Sequence, residues 1–466
     1  MYGNVIAAIS TPPGKGGVAV IRMSGKGAFE IAERVFVPIS GKKISDYPAR
    51  TQIYGYIIYN DEKIDDGMLT LFPAPRSYTG EDTVEISCHG GILVTRTVLE
   101  ALLTAGAVPA EAGEFTCRAF INGKLSLSEA EAIGTLLEAT GKEQIKLSSG
   151  PARAKLNAAI DEITNSLTSL MSSIYARIDY PDEDLGEFTD EESLQTLIAI
   201  RKKLQRLIDT YRTGRAINEG ISTVICGKPN VGKSTLYNLL IGEDAAIVTD
   251  VAGTTRDILE RTVPLGRVTL RITDTAGVRS GDEVGTVEKI GIGRSKDKIL
   301  SCELILAVFD LSREMDESDR ELIEEISKAQ GYKICVFNKC DLVGDAPVFD
   351  TALLPKDIFG QTVYISADQD NAGTLKTLAE LINRLFTDEK ISSGHDAIVS
   401  SARQHSALIR ARELIDAAID AYSMGLPADA SSFEVEMALA SISEIDGRAV
   451  AENVVNDIFS KFCVGK

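Results

Sequence analysis

Histidine is scarce in this chain, three residues in 466, and no quartet of ligands has the spacing of a zinc site. A centre of that kind is excluded, and His89, beside Cys88 in SCHGG, reads as a structural or pocket-lining residue instead. Long apolar runs are missing too. None approaches the roughly 18 residues of a membrane span, so no membrane association is expected. The opening MYGNVIAAISTPPGKGG has no basic start before its short apolar stretch, and reads as a strand and loop rather than a signal peptide. Positive charge is in deficit, with 49 Lys and Arg against 68 Asp and Glu, a net charge of −19. Such a chain repels a phosphate backbone on average, which argues against broad electrostatic binding of nucleic acid. If RNA is the substrate, a local patch or a basic partner has to hold it. The seven cysteines are odd in number and scattered, which suits reduced thiols in the cytoplasm rather than a disulfide framework.

What is present is the composition of an ordinary globular protein, 44% hydrophobic and 25% charged. The length suits about three domains. Residues 1–120 hold short β-like runs (VIAAIS, VAVIRMS, QIYGYIIY, MLTLF, TVEISC) bounded by Gly, Pro and Asp, with helical stretches near 27–36 and 91–105. They suggest an α+β domain. Residues 121–216 turn helical: Leu156, Ile160, Ile163, Leu167, Leu170, Ile174 and Ile178 follow steps of four and three, and so does the run from Leu194 to Tyr211. From 217 to 386 strands alternate with helices, the mark of a largely parallel sheet. Helical periodicity returns over 387–466, with one helix through Leu408–Tyr422, a second near 432–445 and a third near 447–460. The economical architecture is multidomain α/β and α, an N-terminal α+β domain followed by a discontinuous helical bundle that an α/β domain interrupts.

GKPNVGKST, Gly227 to Thr235, fits G-x-x-x-x-G-K-S between a strand and a helix, the context a phosphate loop requires. Asn230, Val231, Gly232, Lys233, Ser234 and Thr235 would curl around the phosphates, with Lys233 on the β and γ groups and the Ser234 hydroxyl on Mg²⁺. DTAG (Asp274, Thr275, Ala276, Gly277) ends a later strand, where Asp274 would reach the metal through water and the Gly277 amide would meet the γ-phosphate. NKCD (Asn338, Lys339, Cys340, Asp341) supplies a carboxylate able to accept both N1–H and the exocyclic amine of guanine, a pattern adenine lacks. ISA (Ile365 to Ala367) ends the next strand, and Ser366, Ala367 and the following Asp368 join the site, where a backbone amide would meet guanine O6. In GTTRD, Thr255 is the expected switch threonine on Mg²⁺. Together, in this order, the segments describe a Ras-like GTPase. The water-orienting Gln of such enzymes is missing, because Val278 follows DTAG. Arg256 and Arg279 stand near enough to offset developing charge, or are solvated surface groups.

The chain as a whole resembles the MnmE (TrmE) family of tRNA-modification GTPases. The resemblance rests on TPPGKGGVAVIRMSG, PRSYTGEDTVEISCHGG, GEFTCRAFINGKLSLSEAEAI, IVTDVAGTTRD, DEVGTVEKIGI and the terminal FCVGK. It implies a homodimer with an N-terminal tetrahydrofolate-binding and dimerisation domain, a split helical domain and an inserted G domain. It further implies work with the FAD protein MnmG (GidA), in a heterotetramer or larger complex. There a carboxymethylaminomethyl or aminomethyl group would be added to C5 of the wobble uridine, position 34, of certain tRNAs. The carbon would come from 5-formyl- or 5,10-methylene-tetrahydrofolate, and the partner would carry most of the tRNA contact. K⁺ would stand in for an arginine finger while G domains dimerise across the nucleotide, held by Asn230 and by oxygens of Thr249, Val251 and Thr254. Asp250, Ala252 and Gly253 join the nucleotide-binding stretch on the same basis. Glu288 matches the catalytic Glu, with Glu283 the alternative in register, and Arg22, Glu85, Lys124 and Lys466 match folate contacts.

Cys463 stands four residues from the end, where a prenyl group would go, but Gly465 and Lys466 do not fit that signal. The resemblance instead implies that the tail brings Cys463 to the folate as nucleophile or acid/base. A competing reading is a GTP-switched binding module such as a ribosome-assembly GTPase, which would not need the first 120 residues or the tail.

Overall fold

The protein is described by a computed structural model over residues 3–179, 189–242, 260–273, 298–343, 348–351, 354–355, 357–367, 371–394, 396–426, 431–448 and 452–465. Packing divides the chain into two units, Met1–Leu137 with Leu439–Lys466, and Glu138–Ala438.

The first unit is built on a seven-stranded sheet. Its strands are β1 (Ile6–Ile9), β2 (Gly16–Ser24), β3 (Phe36–Pro38), β4 (Gln52–Tyr59), β5 (Glu62–Phe72), β6 (Thr83–Gly90) and β7 (Val108–Pro109), in the order β3-β4-β5-β6-β2-β1-β7. All neighbours are antiparallel except β1 and β7. In QIYGYIIY, Ile53 and Ile57 point inward while Tyr54 and Tyr56 face out, the alternation of a sheet with one packed face. That face buries Ile21, Met23, Leu69, Val84 and Ile86 against helices α1 (Ala28–Val35) and α2 (Ile92–Thr104). Strand β5 begins six residues before MLTLF. Asn60 and Asp61 both adopt left-handed backbone, the two-residue hairpin turn whose twist matches the strands it joins. Helices α3 (Glu114–Ile121) and α4 (Leu127–Glu138) follow, and the helix Glu452–Ser460 packs Val455 and Phe459 against Cys117, Leu127 and Ala130.

The second unit holds helices α5 (Lys142–Ser149), α6 (Pro151–Asp179) and α7 (Asp190–Asn218), and the helix Ala402–Ser423. The apolar stripe of α6 is buried from Leu156 to Ile174, and its last expected member, Ile178, is exposed. At the start of α7, Thr189 Oγ1 accepts from Glu192 N–H at 3.2 Å and Glu192 Oε2 accepts from Thr189 N–H at 2.7 Å, a reciprocal cap. The six-stranded sheet comprises β8 (Ile221–Gly227), β9 (Glu260–Leu265), β10 (Val268–Thr273), β11 (Leu304–Asp310), β12 (Tyr332–Asn338) and β13 (Gln361–Tyr364), in the order β13-β12-β11-β8-β10-β9. Every pair is parallel except β9 with β10. Strand β11 is buried at all seven residues, as a central parallel strand covered on both faces must be. This is the Ras-like order. It reverses beside β8, so the carboxyl ends of β8, β11 and β12 open onto one crevice.

Candidate nucleotide-binding site

Strand β8 ends at Gly227 and helix α8 (Lys233–Ile241) begins six residues later. Between them Asn230 (φ 63°) and Gly232 (φ 98°) are left-handed. Alternation of this kind turns successive N–H groups to one side and makes an anion-binding concavity at a helix start. Gly232 is required twice over. Its backbone is unfavourable for a side chain, and a Cβ there would lie 2.0 Å from Asn338 Nδ2. Asn338, nearly fully buried, donates from Nδ2 to Val231 O at 3.0 Å and accepts from Ala367 N–H at Oδ1, also 3.0 Å. One amide thereby ties the end of β12 to the phosphate loop and to the segment after β13.

A cavity of ≈ 530 Å³ opens there, lined by the expected residues Asn230, Gly232, Lys233, Ser234, Thr235, Asn338, Lys339, Asp341 and Ser366, and by Leu342, which sequence reading missed. Lys233 Nζ donates to Lys228 O at 2.5 Å, and burial pushes its pKa below the ordinary lysine value. Asp341 Oδ1 accepts from Ser366 Oγ at 2.5 Å. Three expected residues sit behind the wall: Val231 in the core, Cys340 with its thiol on Phe337 O at 3.4 Å, and Ala367 with its amide on Asn338. Ion pairs brace the rim. Lys339 Nζ donates to Asp310 Oδ2 at 2.6 Å. Lys228 pairs with Asp316 and lies 3.9 Å from Asp319, whose two oxygens also take Arg313 at 2.8 Å each.

The expected residues Thr249, Asp250, Val251, Ala252, Gly253, Thr254, Thr255, Asp274, Thr275, Ala276, Gly277, Glu288 and Asp368 lie outside the described residues. So do Arg256, Val278, Arg279, Glu283 and Lys466.

The expected folate residues fall in the first unit. Arg22 on β2 faces Glu85 on β6 in register, donating from Nε to Oε1 at 2.9 Å, and its guanidinium lies 5.3 Å from the Tyr78 ring centre. Glu85 Oε2 takes no hydrogen bond from a described residue. Lys124 Nζ donates to Pro75 O at 3.0 Å. Arg118, absent from the sequence reading, is buried and binds Glu114 (2.7 Å), Glu81 (3.2 Å) and Asn4 O (3.1 Å). The i, i+4 spacing of Glu114 and Arg118 was the available signal. The tail docks in the same unit. Gly113 N–H donates to Cys463 O at 3.4 Å, Val464 bridges to Ala112, and Ser10 Oγ donates to Gly465 O at 3.1 Å. The Cys463 side chain is exposed, and among the described residues no hydrogen bond or ion pair joins it to Arg22, Glu85 or Lys124. His89 Nδ1 lies 2.7 Å from Asp65 Oδ1, and that hydrogen bond raises the imidazole pKa.

Residues 127–463 match the family model of the MnmE helical domain, and residues 5–124 that of the GTP-binding protein TrmE N-terminus. Three curated relatives carry the name tRNA modification GTPase MnmE. That of Clostridioides difficile is 36% identical over 463 residues, 99% of each chain. That of Carboxydothermus hydrogenoformans is 37% identical over 472 residues, 100% of each. That of Lacticaseibacillus paracasei is 38% identical over 465 residues, 99% of this chain and 98% of the other. A solved structure of Aquifex aeolicus Era bound to GDP.AlF4- is 24% identical over 42% of this chain and 66% of that one, with a TM-score of 0.27.

Proposed function

The chain belongs to the MnmE (TrmE) family, and from that premise we propose that it is a GTP-hydrolysing enzyme of tRNA wobble-uridine modification. The observation that carries the proposal is one cavity lined by Lys233 and Ser234 of the G-x-x-x-x-G-K-S loop and by Asp341 of NKCD, the carboxylate proposed to select guanine. Ser234, in the first turn of α8, would offer its hydroxyl to Mg²⁺, and Asn230, which lines the same cavity, would offer its side chain to K⁺. Both side chains carry oxygen, the donor that hard cations take. Lys233, held on a loop carbonyl, exchanges that bond for phosphate oxygens and neutralises them.

In the N-terminal unit tetrahydrofolate would supply the one-carbon unit. Glu85 offers an open oxygen to a pterin edge, and Arg22 and Lys124 are cations for the glutamate carboxylates. Cys463 is the group proposed to act on the carbon, delivered by the docked tail. The partner MnmG, a homodimeric assembly and K⁺-dependent pairing of G domains complete the reading. All seven cysteines are free, which suits a cytoplasmic setting. No described helix is long and apolar enough to cross a membrane.

The test has two arms. GTP turnover should be faster in KCl than in NaCl, and equal rates would sink the K⁺ role. Mass spectrometry of tRNA from a deletion strain should show bare wobble uridine, restored by the wild-type chain but not by Cys463→Ser, whose GTP turnover should be intact. Unchanged uridines in the deletion strain would favour a GTP-switched binding module instead.

A further inference from the structure

Asp310 ends β11, and its carboxylate is almost wholly enclosed, the residue being 6% exposed. Each oxygen is used. Oδ1 accepts from Ser312 N–H at 3.0 Å and from Ser312 Oγ at 2.6 Å, and Oδ2 accepts from Lys339 Nζ at 2.6 Å. Burial works against the charge, but the bonds from Lys339 and Ser312 outweigh it, and the Asp310 pKa falls below the usual carboxylate value. The contact is fixed from the backbone as well. Asp310 stands opposite Asn338 in the parallel β11–β12 register, and Leu311 N–H donates to Asn338 O at 3.1 Å.

The residue that Asp310 holds is an unusual one. Lys339 has φ 65°, a left-handed conformation that is strained for a residue with a side chain and persists only where its surroundings determine it. This reversal separates Asn338, whose amide faces the phosphate loop, from Asp341, whose carboxylate lines the cavity. Without the tether, the ammonium of a rim lysine is free to swing and the turn loses the contact that selects its strained form.

We propose that Asp310 is a positioning residue for guanine recognition: by binding Lys339 it fixes the turn that presents Asp341 to the base. The proposal rests on the nucleotide reading of the cavity and adds to it a residue outside the nucleotide motifs. Asp310 is not among the residues that line the cavity, so its effect is on selectivity and affinity rather than on the chemical step.

The experiment is calorimetric titration of the full-length protein with GDP and with IDP, whose base lacks the exocyclic amine that Asp341 would accept from. Asp310→Asn should bind GDP about tenfold more weakly, the size expected for loss of a charge-assisted bond. Its preference for GDP over IDP should narrow, because the misplaced carboxylate forfeits the amine contact that distinguishes them. A purely structural role would lower the melting temperature and leave the GDP-to-IDP ratio alone, and that result overturns the proposal. Should Asp310→Asn not fold, Lys339→Gln cuts the same tether from the more exposed side and should give the same narrowing; a wild-type ratio there overturns the proposal equally. A wild-type protein that binds no guanine nucleotide sinks the nucleotide reading itself, a result distinct from an unaltered ratio in the variants.

Discussion

At the scale of single residues, the contact between Gly232 and Asn338 sets the tightest condition on the nucleotide site. A methyl group at 232 would enter the Asn338 amide and would also have to tolerate φ 98°. The backbone penalty is about 1–2 kcal/mol and overpacking adds about 1–3 kcal/mol. Gly232→Ala should therefore lower unfolding free energy by about 2–5 kcal/mol in urea titration and abolish GDP binding, since relief of the clash moves the loop or the Asn338 clamp. Asn338 also shows how a recognition motif divides its work. Its side chain is spent on holding two loops together, while Asp341 faces the cavity. Spacing alone identifies both residues but not this division, because an amide with one donor and one acceptor aimed at backbone can only be seen once the strands are in register.

Among the elements, the helix Glu317–Ser327 is fastened to the phosphate loop through its N-cap. Asp316 accepts from Ser318 and Asp319 N–H at 3.0 and 3.3 Å and pairs with Lys228. Asp316 is half-exposed, so solvent weakens the ion pair and the cap is the larger contribution. Asp316→Ala should cost about 1–2 kcal/mol of stability by urea titration, and Asp316→Asn, which retains a capping oxygen, clearly less. Most elements were legible from periodicity: the α6 stripe, the alternation of β4 and the apolar run of β11 each point to their own packing. The exceptions have physical causes. Strand β9 carries Pro264, which argues against a strand except at an edge, and β9 is the edge strand, with Pro264 opposite Thr269. The first half of β5, EKIDDG, is partly exposed and acidic, so its pairing with β4 leaves little hydrophobic trace. Arg118 reads as a surface charge until folding brings Glu81 and Glu114 around it.

For the molecule as a whole, a net charge of −19 bears on how it meets its proposed RNA. Phosphate contacts made by Lys and Arg dominate such affinities and weaken steeply with salt. The isolated chain should hold tRNA only weakly at about 0.15 M salt, where screening acts over about 8 Å, and addition of the proposed FAD partner should restore binding in a filter assay. Tight, salt-resistant binding by the chain alone would show that a local patch outweighs its overall charge.

The tail ends in a seat cut for one residue. Gly465 has φ 96°, and a Cβ there would lie 2.3 Å from Ile9 O, so a glycine fits where other residues collide. The seat therefore works as a ruler. With Gly465 fixed against β1 and Val464 paired to Ala112, the residue two positions earlier has no choice of register. One residue inserted between Cys463 and Gly465, or Val464 deleted, would leave the glycine seated and shift the thiol along the chain by a full Cα spacing, about 3.8 Å. For the proposed role of Cys463 in folate chemistry, either change should abolish tRNA modification and leave GTP turnover intact, as mass spectrometry of tRNA and a GTPase assay would read.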